Sequence, residues 1–174
     1  MRDLKAIIRN IPDFPKKGIV FRDITTLLAD PSVMREVADA IAERYKDKRV
    51  DVVAGIEARG FIFGALVADR LSVGFAPVRK QGKLPHRTVR ETYALEYGED
   101  AIEMHVDAVK KGQRVLVVDD LLATGGTMAA CCRLAEKLGG VVAGCACVIE
   151  LSFLNGRGKL DGRDVFTLVK YDTE

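Results

Sequence analysis

Residues 115–127 read VLVVDDLLATGGT and hold the densest set of chemically useful side chains in the chain. An apolar run leads to two adjacent carboxylates, Asp119 and Asp120, and then to Ala123, Thr124, Gly125, Gly126 and Thr127. Carboxylates accept hydrogen bonds from sugar hydroxyls and coordinate hard cations such as magnesium. Glycines and threonines just ahead of a helical pattern present backbone N–H groups and hydroxyls to an anion. Together they point to a sugar that carries phosphates. The segment has no lysine in a GxxxxGK[ST] arrangement, so it is not a triphosphate P-loop. A structural turn with a threonine cap is the competing reading.

Three further stretches have matching chemistry. Glu57-Ala58-Arg59-Gly60 follows a second apolar run, and a guanidinium there can grip a diphosphate through two parallel bonds. Residues 79–92, RKQGKLPHRTVRET, carry Arg79, Lys80, Lys83, Arg87 and Arg90 with little to bury, so they read as a long polar loop able to cover an anion. Glu96 and Tyr97 sit just beyond it. Phe21 is embedded in loop-like sequence, where it can pack in a core or stack on a flat ring.

These residues need a scaffold that brings strand ends together. Val50–Ile56 reads as a buried strand, 61–70 as a helix and Val73–Val78 as the next strand. That β-α-β order predicts a parallel sheet with helices on its faces. The alternation resumes with a strand over Arg114–Val118, a helix over 127–138, and strands over Val141–Ile149 and Val165–Val169. Asp119 and Asp120 then stand where a strand ends, on the side where open α/β sheets bind ligands. Tyr93–Tyr97 and Ala101–Val106 read as a hairpin carrying the basic loop, split by Gly98-Glu99-Asp100. Leu4, Ile7, Ile8 and Ile11 predict a short N-terminal helix ending near Pro12, and Asp30-Pro31 starts another helix that reaches about Tyr45.

Composition bounds the rest. The chain has 174 residues, is 48% hydrophobic and carries a net charge of +2, which fits one domain without a broad nucleic-acid surface. Cys131, Cys132, Cys145 and Cys147 lack the spacing of a zinc site and read as core residues. No apolar run is long enough to span a membrane and the N-terminus does not read as a signal peptide, so a cytoplasmic setting is expected.

VLVVDDLLATGGT resembles the phosphoribosyl-pyrophosphate motif of type I phosphoribosyltransferases. FPKKGIVFRDIT at 14–25, GIEARGFIFG at 55–64, RKQGKLP at 79–85 and YALEYG at 93–98 resemble, in the same order, the adenine phosphoribosyltransferase family. The resemblance implies an α/β type I phosphoribosyltransferase fold over residues 1–174. It has a central, mainly parallel sheet flanked by helices, a small hood over 1–30, and a flexible loop and hairpin over 79–106. It implies joining of adenine to phosphoribosyl pyrophosphate, with Mg2+ held mainly by substrate oxygens and water, in a homodimer without nucleic acid. Ala123 to Thr127 would then wrap the 5′-phosphate, Asp119 and Asp120 face the ribose, and Arg59 meet the pyrophosphate. Phe21 would stack on adenine while backbone groups of Val20 and Arg22 read its edge. The loop carrying Lys83, Glu96 and Tyr97 would close over the site, with Glu96 steadying the base or its proton. A partner chain would add a basic residue near Arg79 or Lys80. The rival expectations are transfer to a 6-oxopurine, a phosphoribosyl-pyrophosphate-sensing regulator that binds nucleic acid, and a non-catalytic dimeric scaffold.

Overall fold

A computed structural model describes residues 2–94, 98–160 and 162–173. Its centre is a seven-stranded sheet in the order β5-β6-β4-β3-β7-β8-β9. The strands are β3 (Val52–Ile56), β4 (Gly74–Lys80), β5 (Thr88–Ala94), β6 (Glu99–His105), β7 (Arg114–Leu122), β8 (Val141–Leu151) and β9 (Val165–Tyr171). The pairs β3–β4, β3–β7, β7–β8 and β8–β9 are parallel. Among the described residues of this sheet, β6 runs antiparallel to β4 and to β5, with which it forms a hairpin.

The parallel strands are apolar throughout because both faces are covered. On β7, Val115 and Val117 face one core with Met128, Ala130 and Leu134 of α5 (Gly126–Lys137). Leu116 and Val118 face the other core, with Val37 and Ile41 of α3 (Pro31–Tyr45) and Phe63 and Val67 of α4 (Gly60–Leu71). The strand's period-two alternation therefore serves two cores at once. Asp30 caps α3 through its side chain to the Ser32 and Val33 N–H groups, with Pro31 at the first helical position. At the far end of α3, Tyr45 lies against Gly144, where a Cβ would come within 2.4 Å of its ring, and its hydroxyl donates to the Cys145 carbonyl at 2.9 Å.

Four expectations need correction. The N-terminal helix α1 covers only Leu4–Ile7; Arg9–Ile11 forms β1, paired antiparallel with β2 (Phe21–Asp23), ahead of the short α2 (Thr25–Leu28). The apolar residues near Ile11 thus belong to two elements, which a helical period merged. The basic stretch 79–92 is not one long loop. Arg79 and Lys80 end β4, and residues 88–92 lie in β5, leaving 81–87 as the connection. The polar side chains of residues 88–92 line the edge strand β5, where one side needs no core. Glu99 and Asp100 likewise belong to β6, not to a turn. Finally, β7 runs on past the acidic pair to Leu122. Its pairing with β3 stops at Val118, and from Asp119 onward it pairs with β8 alone. The carboxylates therefore mark the end of a neighbour, not of their own strand.

All four cysteines are buried and unbridged, as core residues should be, with Cys132 and Cys145 sulfurs 3.5 Å apart.

Candidate active site

The edge that opens where β3 stops is the floor of a cleft of 620 Å³. Arg59, Lys80, Asp119, Asp120, Ala123 and Thr127 all line it. A tighter recess of 80 Å³ continues from it into the turn Ala123–Thr127.

That turn is built by two glycines and a neighbour. Gly125 sits at φ +78° immediately before α5, a left-handed conformation that exposes successive N–H groups at the helix start. The twelve-residue helix adds its positive end to the recess. A Cβ on Gly125 would lie 2.1 Å from the Gly156 carbonyl oxygen, and a Cβ on Gly156 would lie 2.2 Å from the Ala123 oxygen. The segment after β8 thus presses directly on the back of the anion turn. It is held there by Arg157, whose Nε and Nη2 fork onto Glu150 at 2.6 and 2.7 Å, and whose Nη1 donates to the Val165 carbonyl at 2.9 Å. Thr167 adds a 2.7 Å bond to the same carboxylate.

Glu150 lies opposite Leu122 in register and is buried, so it depends on this fork. The Arg157 bonds hold its carboxyl below the usual range; burial opposes and Thr167 assists. With the folded value depressed, the stabilisation is full above the ordinary 4.5 and is lost as pH falls through the folded value. Urea denaturation between pH 7 and pH 3 should show a steeper acid loss in the parent than in Glu150→Gln. Parallel curves would exclude this role.

Asp119 and Asp120 point to opposite sides of β7, as neighbours on a strand must. Asp119 keeps part of its surface open to the cleft, while Asp120 is buried and receives Arg59 Nε at 2.8 Å. The Asp120 N–H donates to Asp119 Oδ1 at 2.9 Å. Burial, then the charge of Asp120, pushes the Asp119 carboxyl well above its ordinary range. Burial raises Asp120 as well, against the opposing pull of Arg59. Burial thus disfavours the ionised form of both carboxyls, and Arg59 offsets part of that at Asp120. Gly60, first in α4, allows this packing: a Cβ there would meet the Val118 oxygen at 2.8 Å and Asp119 Oδ1 at 2.9 Å.

The guanidinium of Arg59 also lies 5.4 Å over the Phe21 ring, which packs edge-on against Phe14 at 5.3 Å. Arg59 thus joins the acidic pair to the β1–β2 hairpin. Val20 directly precedes β2, and Arg22 turns its side chain away toward the C-terminus, donating to Asn10 Oδ1 at 2.6 Å.

The basic residues are already engaged. Arg79 and Lys83 both hold Glu57, at 2.8 and 2.6 Å, and Lys80 holds Asp100 at 2.7 Å. Burial would raise Glu57, yet the bonds from Lys83 and Arg79 bring its carboxyl below the usual range. Glu57, Asp100 and Tyr93 also line the cleft and were not singled out from the sequence. Glu57 stood in a turn already marked for Arg59, and its use as an anchor needs the fold. Gly156, Arg157 and Glu150 were also missed. The one signal was a lone glutamate, next to last in an otherwise apolar strand. Glu96 and Tyr97 lie outside the described residues.

Among the described residues no three His, Cys, Asp or Glu groups converge as a metal site. Asp119 and Asp120 offer two carboxylates, one already bonded to Arg59. This donor set fits a hard cation that draws its other oxygens from a ligand.

A model of the phosphoribosyl transferase domain matches residues 23–170. An adenine phosphoribosyltransferase of Clostridium perfringens is 62% identical over 169 residues, 97% of this chain and 98% of that one. One from Solibacter usitatus is 58% identical over 172 residues, 99% of each chain. The crystal structure of adenine phosphoribosyltransferase from Thermoanaerobacter pseudethanolicus matches with a TM-score of 0.93 at 53% identity, over 96% of this chain and 97% of that one. The Saccharomyces cerevisiae enzyme, solved with adenine and an imino-altritol bisphosphate, matches with a TM-score of 0.91 at 40% identity, over 95% and 96%. With matches of this extent, and a cleft built from an anion turn and an acidic pair, the chain belongs to the adenine phosphoribosyltransferase family.

Proposed function

We infer that the chain transfers the 5-phosphoribosyl group of phosphoribosyl pyrophosphate to adenine, forming AMP and pyrophosphate. The full-length likeness to adenine phosphoribosyltransferases carries this reading.

In our reading the 5′-phosphate occupies the recess of Ala123–Thr127, and the ribose hydroxyls face Asp119 and Asp120. Adenine lies against Phe21, its edge read by the backbone of Val20 and Arg22. The bond from the anomeric carbon to the diphosphate oxygen breaks, and its electron pair leaves with pyrophosphate. Adenine N9 forms the new bond from the opposite face and gives up its proton. Glu96 is the group we assign to steady the base or take that proton. The protein contributes position and charge more than covalent chemistry. Arg59 offsets charge on the departing diphosphate, and Arg79, Lys80 and Lys83 do so once they exchange Glu57 and Asp100 for ligand oxygens. Asp119 and Asp120 would lie beside Mg2+ held mainly by substrate oxygens and water, which would supply further positive charge there. Closure of the segment bearing Lys83, Glu96 and Tyr97 excludes water from the activated sugar.

The deciding experiment offers adenine, hypoxanthine, guanine and xanthine together with phosphoribosyl pyrophosphate and magnesium. AMP is the expected main product. A 6-oxopurine nucleotide would overturn the base pocket alone. Absence of product with tight binding of the activated sugar would move the chain to a sensing role.

The acidic pair yields a second expectation. Ribose hydroxyls donate to carboxylates and so favour their ionised form. Binding of the activated sugar should therefore draw the pair toward its ionised form, and its calorimetric enthalpy, followed across a pH series, should vary with the ionisation heat of the buffer where the pair titrates. Identical enthalpies in all buffers would remove the pair from ligand binding.

We also propose a homodimer in which a partner's basic residue reaches the region of Arg79 and Lys80. Light scattering, and activity restored by mixing two differently inactive variants, test it. No described helix is long and apolar enough to cross a membrane. A cytoplasmic setting is our reading, supported by four thiols left unpaired.

A further inference from the structure

We propose that Tyr171, near the end of the chain, is a positioning residue for the base-binding hairpin and acts through Arg22. The inference rests on the reading that Val20, Phe21 and Arg22 hold adenine.

The hairpin β1–β2 is a separate two-stranded sheet, so something must fix its attitude to the seven-stranded one. Arg22 provides the connection. Its guanidinium carbon lies 4.0 Å above the centre of the Tyr171 ring. Nη1 bonds Asn10 on the other hairpin strand, and Nη2 reaches the Thr173 carbonyl at 3.5 Å. Lys5 Nζ stands 5.3 Å from the same ring. The ring itself is anchored. Tyr171 pairs with Leu151 of β8, and its carbonyl accepts from Ser152 Oγ at 2.9 Å.

Strand geometry turns this anchor into control of the base pocket. Neighbouring side chains on a strand point to opposite faces. With Arg22 pinned on one face of β2, Phe21 is presented on the other, toward Phe14 and Arg59. A guanidinium over an aromatic face is an attraction of the ring, not of its hydroxyl. Consistent with that, the Tyr171 hydroxyl is buried with no hydrogen-bond partner among the described residues. The ring should therefore matter and the hydroxyl should not.

Steady-state kinetics on the full chain separate the possibilities. Tyr171→Ala is expected to raise the KM for adenine about fivefold, the size of one such ring contact. The KM for phosphoribosyl pyrophosphate and kcat at saturating adenine should stay at parent values. Tyr171→Phe should match the parent throughout. Phe21→Ala, measured alongside, tests the base pocket directly. If it raises the adenine KM while Tyr171→Ala does not, the positioning role is wrong and the pocket stands. If Phe21→Ala leaves the adenine KM unchanged, both readings fall. An equal rise in both KM values for Tyr171→Ala, or a Tyr171→Phe variant as impaired as the alanine, would mark a purely structural residue. If Tyr171→Ala does not fold, Tyr171→Leu carries the same comparison, since it fills the site without a ring.

Discussion

Gly125→Ala is expected to lower kcat/KM for phosphoribosyl pyrophosphate by about 100-fold or more, with adenine binding nearly unchanged. Two effects act together. An alanine at φ +78° costs about 1–2 kcal/mol in a left-handed conformation. Its Cβ also meets a backbone oxygen, Gly156 O at 2.1 Å, which no side-chain rotation can move aside. The turn must reshape, and the N–H groups aimed at the 5′-phosphate turn with it. A charge-assisted hydrogen bond contributes about 1.5–3 kcal/mol, so losing one or two gives the stated fall. Titration with ribose 5-phosphate would show the loss directly, because that probe carries neither base nor diphosphate. Parent-like affinity for it would mean that the recess does not hold the 5′-phosphate.

Arg59→Ala should be comparably severe for turnover, about 100- to 1000-fold, the usual effect of removing a charged group from a developing anion. It should also carry a distinctive stability signature. Asp120 is 4% exposed and would lose the guanidinium 2.8 Å from its carboxylate. Its folded value, already raised, would rise further. A raised carboxyl value means that stability is full below the ordinary 3.8 and is lost as pH rises through the folded value. The variant should therefore be closest to the parent in acid and fall behind toward neutral pH, by about 1–2 kcal/mol. That figure is discounted because Arg59 is itself partly exposed. Adding Asp120→Asn should restore much of the stability and none of the turnover. Recovery of activity in the double variant would show that Arg59 serves only to neutralise its neighbour.

Much of this site was visible before the fold. A buried strand, two aspartates and a double glycine at a helix start can be placed by local rules; α5 and the start of β7 fall where those rules put them, and the end of β7 does not. The two-core sheet was equally legible, because apolar strands alternating with amphipathic helices have few other arrangements. Partners distant in sequence were not legible. Nothing local says that Arg59 will choose Asp120, that Glu57 will gather Arg79 and Lys83, or that Gly156 will press on Gly125. Strand limits failed for a related reason. The basic residues after Val78 read as loop because they are polar, whereas Thr88–Ala94 is a strand whose outer side never needed a core. At Asp119 the acidic pair reads as a strand end, but hydrogen bonding to β8 carries β7 further.

That outer side of β5 has a consequence for how copies of the chain can meet. An edge strand offers unpaired carbonyls to any other strand that arrives. Here α5 reaches over and takes two of them: Lys137 Nζ bonds the Arg90 oxygen at 3.0 Å and Arg133 Nη2 reaches the Thr92 oxygen at 3.5 Å, while both side chains also grip Glu91. The middle of the edge is thus covered by charge from its own fold. Fusing two sheets through this part of β5 would require these bonds to break. The same closure denies a sticky template to partly unfolded chains, and charge removal at Lys137 and Arg133 would reopen it to aggregation.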